Sequence, residues 1–226
     1  MQKMKIDRLI RSRRKTISLT ITKDAELVVR APLGLPLRDI NRVIEEKKDW
    51  IISKRNQVIK RKEESASLRI TEGGKFLFKG KTYTLAPADK IRHIYLDSDT
   101  LYYPRCKDKE LTDILKSWCR VEAGKYLPQR LNQLSRVLKI PYSGCSITGA
   151  RTRWGSCSSK NRINLTWRLI MADPGAIDYV IVHELCHVVH KNHGRDFWNK
   201  VKQVMPDYQK HRKWLKDQAY IMDLFE

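Results

Sequence analysis

The sequence predicts an α+β protein: a β-rich N-terminal half with one surface helix, then a C-terminal half built on a strand pair and a helix equipped to bind metal. Three observations carry that expectation. Short stretches before residue 105 alternate apolar and polar side chains between turn residues, residues 107–138 repeat apolar side chains at helical spacing, and His183, Glu184 and His187 fall on one amphipathic segment. The change of character divides the chain into 1–105, β-rich, and 106–226, metal-binding. No low-complexity or Ser/Gly-rich tether separates the two, so they can form one compact unit.

Taken in order, Ile17, Leu19 and Ile21 alternate with polar residues, as do Leu27, Val29 and Ala31, with Lys23-Asp24 between them. That is a hairpin, ended by Pro32. From Leu37 to about Arg61, apolar positions 40, 43, 44, 51 and 52 recur among many charges and give the surface helix. Glu72-Gly73-Gly74 turns the chain, and Phe76 and Phe78 then face Tyr83 and Leu85 across Gly80-Lys81 as a second hairpin. Residues 91–96 and 100–104, around Asp97-Ser98-Asp99, read as a third. Their alternating aromatics read as core side chains rather than base-stacking platforms. Leu111, Leu115, Trp118, Leu127, Leu131, Leu134 and Leu138 mark a long helix that Pro128 should kink or break, because proline lacks the N–H and crowds the preceding turn. Ile140-Pro141 stops it. Residues 146–153 and 163–170 read as the strand pair, joined by a polar loop over 156–162, with Ile163, Leu165, Trp167 and Leu169 on one face. Such a strand beside a metal-binding helix offers its free edge to an extended peptide. Residues 194–205 and 207 to about 222 form two further helices around Met205-Pro206.

The chemistry concentrates in residues 182–198, V-H-E-L-C-H-V-V-H-K-N-H-G-R-D-F-W, which hold four of the six histidines. Asp173-Pro174 reads as an N-cap followed by proline at the first helical position, and Ile177, Ile181, Leu185 and Val188 form the apolar stripe. On that helix His183 and His187 lie about 40° apart and roughly 6 Å along the axis, so one ion can bridge them. Glu184 points about 100° round from His183, outside easy coordination but within reach of a water on the same ion. This is the H-E-x-x-H zincin arrangement, in which zinc lowers the pKa of its water to about 7 and a carboxylate takes the proton. Catalytic zinc has three protein ligands, and the candidates for the third are His190 and His193. A continued helix would spread the ligands over about 10 Å, too far for one ion. His193 fits if the helix ends and turns back through Asn192 and Gly194, residue types that tolerate the left-handed conformation. Asp196 is the substitute or a supporting partner. A late glutamate is not on offer, since the next after Glu184 is Glu226. Cys186 points away from both histidines and reads as a small buried side chain. Phe197, Trp198, Val201 and Trp214 are expected behind the metal, and Tyr208 and His211 are candidates for stabilising an oxyanion.

R-W-G-S-C-S-S at 153–159, I-N-L-T-W-R-L-I at 163–170, I-D-Y-V-I-V-H-E-L-C-H, N-H-G-R-D-F-W, and the flanking R-S-R-R-K-T-I-S-L, L-V-V-R-A-P and P-D-Y-Q-K-H-R-K-W-L closely resemble the YgjP-like metallopeptidase family, related to SprT-like domains with the same H-E-L-C-H core. The resemblance is strongest after Gly149. It implies a zincin-like C-terminal half and a zinc-dependent hydrolase, with His183, His187 and His193 as ligands and Glu184 as general base. Members sharing the core need not share a substrate. The third histidine stands at the metzincin spacing, but His190 occupies the place of the metzincin turn glycine.

Forty-six Lys and Arg against 25 acidic residues give a formal charge of +21, a field that attracts anions. The basic residues are spread along the chain, with Arg11, Arg13, Arg14 and Lys15 the densest cluster. Five cysteines without a C-x-x-C pair argue against a disulfide framework and a second zinc site. Cys145 and Cys157 carry no signal of their own. The first residues lack a signal-peptide core and no apolar run reaches membrane-spanning length, so a cytoplasmic protein without membrane insertion is expected. The leading reading is a zinc metallopeptidase acting on peptide or protein. The alternatives are a metal-dependent phosphohydrolase acting on nucleotides and a nucleic-acid-associated module of the SprT-like kind, and weak nucleic-acid or nucleotide binding is expected on charge alone. Nothing in the chain specifies an oligomeric state.

Overall fold

The computed structural model describes residues 4–22, 24–67 and 70–225. It is mixed α+β, with most of its strands in the N-terminal half and most of its helical residues in the C-terminal half. Two compact units divide the chain, 1–64 and 65–226. Lys23 of the expected first turn, Glu226, and residues 1–3 of the N-terminus lie outside the described residues.

In the first unit, β1 (Arg8–Ser12), β2 (Ser18–Ile21) and β3 (Leu27–Pro32) form a sheet in the order β1-β3-β2, with β2 antiparallel and β1 parallel to the central strand. The β2–β3 hairpin is the one expected. Leu27, Val29 and Ala31, on one face of β3, are fully buried against Ile40, Ile44 and Ile51. The single helix expected from Leu37 is two, α1 (Leu37–Glu46) and α2 (Lys48–Ser67), parted at Lys47, whose φ −105° and ψ 13° lie outside the helical range. No proline or glycine marks that break. Arg55 of α2 reaches Ala25 O at 3.0 Å and Asp7, whose carboxylate also accepts the Leu27 N–H, so α2 is tied to the start of β3. Arg11 of the dense basic cluster donates to the carbonyls of Pro32, Leu33 and Leu35.

The second unit opens with β4 (Lys75–Phe78), β5 (Lys81–Ala88), β6 (Tyr95–Asp97) and β7 (Thr100–Pro104), ordered β4-β5-β7-β6. Both expected hairpins are present. The first turns through Lys79 and Gly80, both at positive φ, one residue earlier than the expected Gly80-Lys81. That turn docks on the C-terminal part: Lys79 and Gly80 N–H donate to the carbonyls of Ile170 and Met171, and a Cβ on Gly80 would stand 2.7 Å from Asp173 Cα. The long helix α3 (Asp108–Leu138) runs through Pro128 without a break. Its Leu111, Leu115, Cys119, Ala123, Leu127 and Leu131 are buried at four-residue intervals, so packing on both sides of the proline outweighs one lost hydrogen bond. Residue 105 falls between β7 and α3, inside this unit, where Phe76, Phe78, Leu85 and Leu101 share one core with Leu111 and Leu115.

The expected strand pair is a three-stranded sheet: β8 (Gly144–Thr148), β9 (Gly155–Cys157) and β10 (Arg162–Thr166), in the order β8-β10-β9. β9 lies where a loop was expected, and β10 is central, so the free edge beside the metal-binding helix belongs to β9. The stretch Trp167–Met171 is a 3₁₀ helix rather than the end of a strand. Its five side chains are all buried, and burial without alternation is what separates it from β10. The remaining helices are α4 (Pro174–Val189), α5 (Arg195–Val204) and α6 (Tyr208–Asp217), then a 3₁₀ turn at Ala219–Met222. Among the described residues no helix is long and apolar enough to cross a membrane.

Candidate metal centre

Helix α4 begins as its sequence dictates. Asp173 caps it, Oδ1 accepting from the N–H groups of Gly175 at 2.9 Å and Ala176 at 3.2 Å, and Pro174 occupies the first helical position. Ile177, Ile181 and Leu185 are fully buried on its inner side. Arg130 of α3 fixes its lie by a two-pronged bond to Asp178, at 2.7 and 2.6 Å. The helix stops at Val189 because His190 adopts an extended conformation, φ −123° and ψ 103°. The chain then turns back through Asn192, which accepts the Gly194 N–H at 3.2 Å. Left-handed backbone was expected here, but Gly194 has φ −70° and Asn192 is not among the positive-φ residues. The asparagine side chain makes the turn.

This turn brings His193 onto His183 and His187. His193 Nε2 lies 3.0 Å from His183 Nε2 and 3.1 Å from His187 Nε2. Ligand nitrogens at zinc–nitrogen distances of about 2.0–2.1 Å in a tetrahedral site would be about 3.3 Å apart, so the three imidazoles stand close to the spacing one ion requires. His187 Nδ1 is 3.0 Å from the His190 carbonyl oxygen, which can only accept, so the proton sits on Nδ1 and the Nε2 lone pair faces the cluster. Burial, reinforced by the neighbouring His187, His193 and Arg212, pushes His183 down to about 3, and burial lowers His187 as well. Both are held neutral, the form that binds metal. His190 contributes its carbonyl and Asp196 is not in the group: among the described residues His183, His187 and His193 are the set whose nitrogens converge.

An aromatic shell holds the rings. Phe197, buried to 1% exposure, stacks on His187 at 4.4 Å and meets His183 and His193 edge-on at 4.9 and 4.7 Å. Trp198 stacks on His193 at 5.7 Å and on Tyr208 at 5.5 Å, and Tyr208 stacks on Tyr179. Phe197 and Trp198 thus sit behind the cluster as expected, and Tyr208 belongs to its border. His211 does not: its Nε2 is 3.2 Å from Asp207, and its ring lies against Gly175 at the far end of α4. Cys186 is buried, its thiol pushed up to about 11 by burial.

Glu184 is 5% exposed, and burial raises its carboxyl to about 7 against the pull of Arg153. Its Oε2 is buried without a hydrogen-bond partner, as is His183 Nδ1. An unpaired carboxylate oxygen is costly, and a water held beside the three histidines would satisfy it, so the donor set fits a metal with a bound water. Gly155 of β9 makes room for this carboxylate: a Cβ there would stand 2.8 Å from both Cγ and Oε1 of Glu184. Two cavities meet over these residues. One, of about 300 Å³, opens on His183, His187 and His193 and is edged by Cys157 and Lys191; the other, of about 380 Å³, runs from His183 and Glu184 to Arg212 and Lys216. Gly155, Arg153, Arg212 and Lys216 were not singled out by spacing, because their relation to the site is through space alone.

No curated protein and no solved structure matches the chain. A family model does, YgjP-like, metallopeptidase domain, over residues 15–218 of the 226. That span takes in the three converging histidines, Glu184 and every element around them, and the chain belongs to the YgjP-like metallopeptidase family.

Proposed function

We propose that this protein is a zinc-dependent peptidase whose centre is His183, His187, His193 and Glu184. The convergence of three histidines, two of them held neutral by burial, beside a buried carboxylate oxygen without a hydrogen-bond partner carries the reading. Zinc, when bound, lowers the pKa of a water and polarises the substrate carbonyl. The histidines hold the ion, with His187 oriented by the His190 carbonyl. Glu184, with a carboxyl at about 7, is suited to take a proton from the attacking water and return it to the leaving amine. Phe197 and Trp198 keep the rings in place and exclude bulk water from behind.

An extended substrate has a strand edge to pair with. Thr166 N–H bonds Trp154 O and Ser158 N–H bonds Arg162 O, and the register sets Ser156 opposite Asn164. Every second residue of an antiparallel strand bonds its partner, so Gly155 and Cys157 turn their N–H and C=O groups to the open side of β9. The five free cysteines agree with a reducing, cytoplasmic setting. A second reading, a nucleotide phosphohydrolase, is favoured by Arg212 and Lys216 in the adjoining cavity. The deciding experiment offers the zinc-loaded protein a denatured protein, short peptides and nucleoside triphosphates. New peptide termini that vanish with a chelator and return with zinc are expected; phosphate or pyrophosphate release with no peptide cleaved would transfer the site to the second reading.

A further inference from the structure

The 380 Å³ cavity is built from three elements, of which only α4 carries members of the histidine cluster. Helix α4 supplies Tyr179 and Val180, the β9 side supplies Trp154 and Gly155, and α6 supplies Leu215, Arg212 and Lys216. Its floor is apolar and its α6 wall is basic. Arg212 and Lys216 are four residues apart on a helix, so they present two cations on one face. Arg212 lies over the Trp198 ring, 5.1 Å from its centroid, and the same ring stacks on His193 at 5.7 Å and lies 6.0 Å from His183. One aromatic ring therefore separates the guanidinium from the histidine cluster. The cavity shares Gly155, His183 and Glu184 with the smaller one over the three histidines, so a molecule reacting there has a continuous path to Arg212.

We infer that this cavity is an anion subsite, in which Arg212 and Lys216 bind an acidic group, carboxylate or phosphate, carried next to the bond that is cleaved. The inference deepens the hydrolase reading and rests on it for the neighbouring reaction centre. The chemistry of the walls selects the ligand. A guanidinium seated over an indole can present its fork to two oxygens of one anion, and the lysine adds a second charge. Tyr179, Trp154 and Leu215 suit an apolar or planar stem between that anion and the reacting atom. A basic side chain in the same place would face two like charges. The anion has two sources: a carboxylate marks a peptide with an acidic residue or a chain end beside the scissile bond, and a phosphate marks a nucleotide.

Binding tests this independently of turnover. Glutarate and inorganic phosphate are titrated calorimetrically into zinc-loaded wild-type protein and into Arg212→Gln and Lys216→Gln, with zinc content measured on each sample. Both positions are exposed on α6, so the fold should persist. The expected result is that wild type binds at least one anion and that Arg212→Gln binds it about tenfold or more weakly, the cost of a lost charged hydrogen bond, at unchanged zinc. The preferred probe names the source, glutarate for an acidic peptide and phosphate for a nucleotide. Equal affinity in wild type and both variants would place the anion elsewhere and overturn the subsite, as would absence of binding of either anion to wild type. Anion binding lost in the variants, in a protein that cleaves no peptide, would keep the subsite and remove the peptidase reading.

Discussion

A glycine is required at position 155 because Glu184 fills the space a side chain would take. An added Cβ would lie 2.8 Å from Glu184 Cγ and Oε1, closer than such atoms approach, so the glutamate side chain would have to shift into the cavities it lines. Gly155→Ala should therefore displace the carboxylate while leaving the three histidines in place. A misplacement of about 1 Å at a reacting group costs on the order of 10²-fold in rate. Turnover should fall by about that much with zinc content unchanged; undiminished turnover would show that Glu184 is not held from this side. The histidines were legible in the sequence because their geometry follows from helical spacing and one turn. Gly155 and Arg212 were not, since what defines them is a neighbour far away in sequence, Glu184 in one case and Trp198 in the other.

At the scale of elements, the site depends on how α4 ends. His190 leaves the helix, and its carbonyl, a backbone group, accepts the proton of His187 Nδ1. His190→Ala keeps that carbonyl and should retain one zinc per chain, whereas His193→Ala removes a converging nitrogen and should lose it. Metal analysis of the two purified variants decides this, and the reverse pattern would contradict the turn-back between α4 and α5. The sequence showed that a turn was needed but misjudged its means, since asparagine can bend the chain by its side chain as well as by left-handed backbone. The hairpins and α4 were readable from alternation, caps and periodicity. The strand pair β8 and β10 was readable, but neither its parallel direction nor the strand β9 between them in sequence, because a parallel pair needs a longer connection than a tight turn and β9 is only three residues long. Nor was the break at Lys47, where no residue type signals an end.

For the whole molecule the dominant property is charge. At +21 the protein should bind DNA weakly and without sequence preference, through phosphates. The affinity should fall steeply with salt, by a log–log slope of about −0.9 per phosphate neutralised on duplex DNA. A titration at low salt that detects no binding would leave the charge to solubility and to small anions. The densest cluster in the sequence is a poor guide to where anions go, because Arg11 and Arg14 bond the chain's own carbonyls and hydroxyls. Organisation at this scale was the least legible. The boundary between the units falls at residues 64 and 65 of the chain, within the span of α2, while the visible change from strands to helices comes some forty residues later, between elements that share one core.

The central claim is that Glu184 moves protons beside a metal that three histidines hold, and Glu184→Gln tests it most directly. Glutamine keeps the shape in the space over Gly155 but cannot accept a proton, so the ligands should stay assembled. Loss of a positioned general base typically costs about 10² to 10⁴-fold. Turnover and bound zinc are measured on the same sample, with the substrate that the wild type cleaves. The account predicts wild-type zinc content with turnover reduced by at least two orders of magnitude; a zinc-loaded Glu184→Gln protein with full turnover would contradict it.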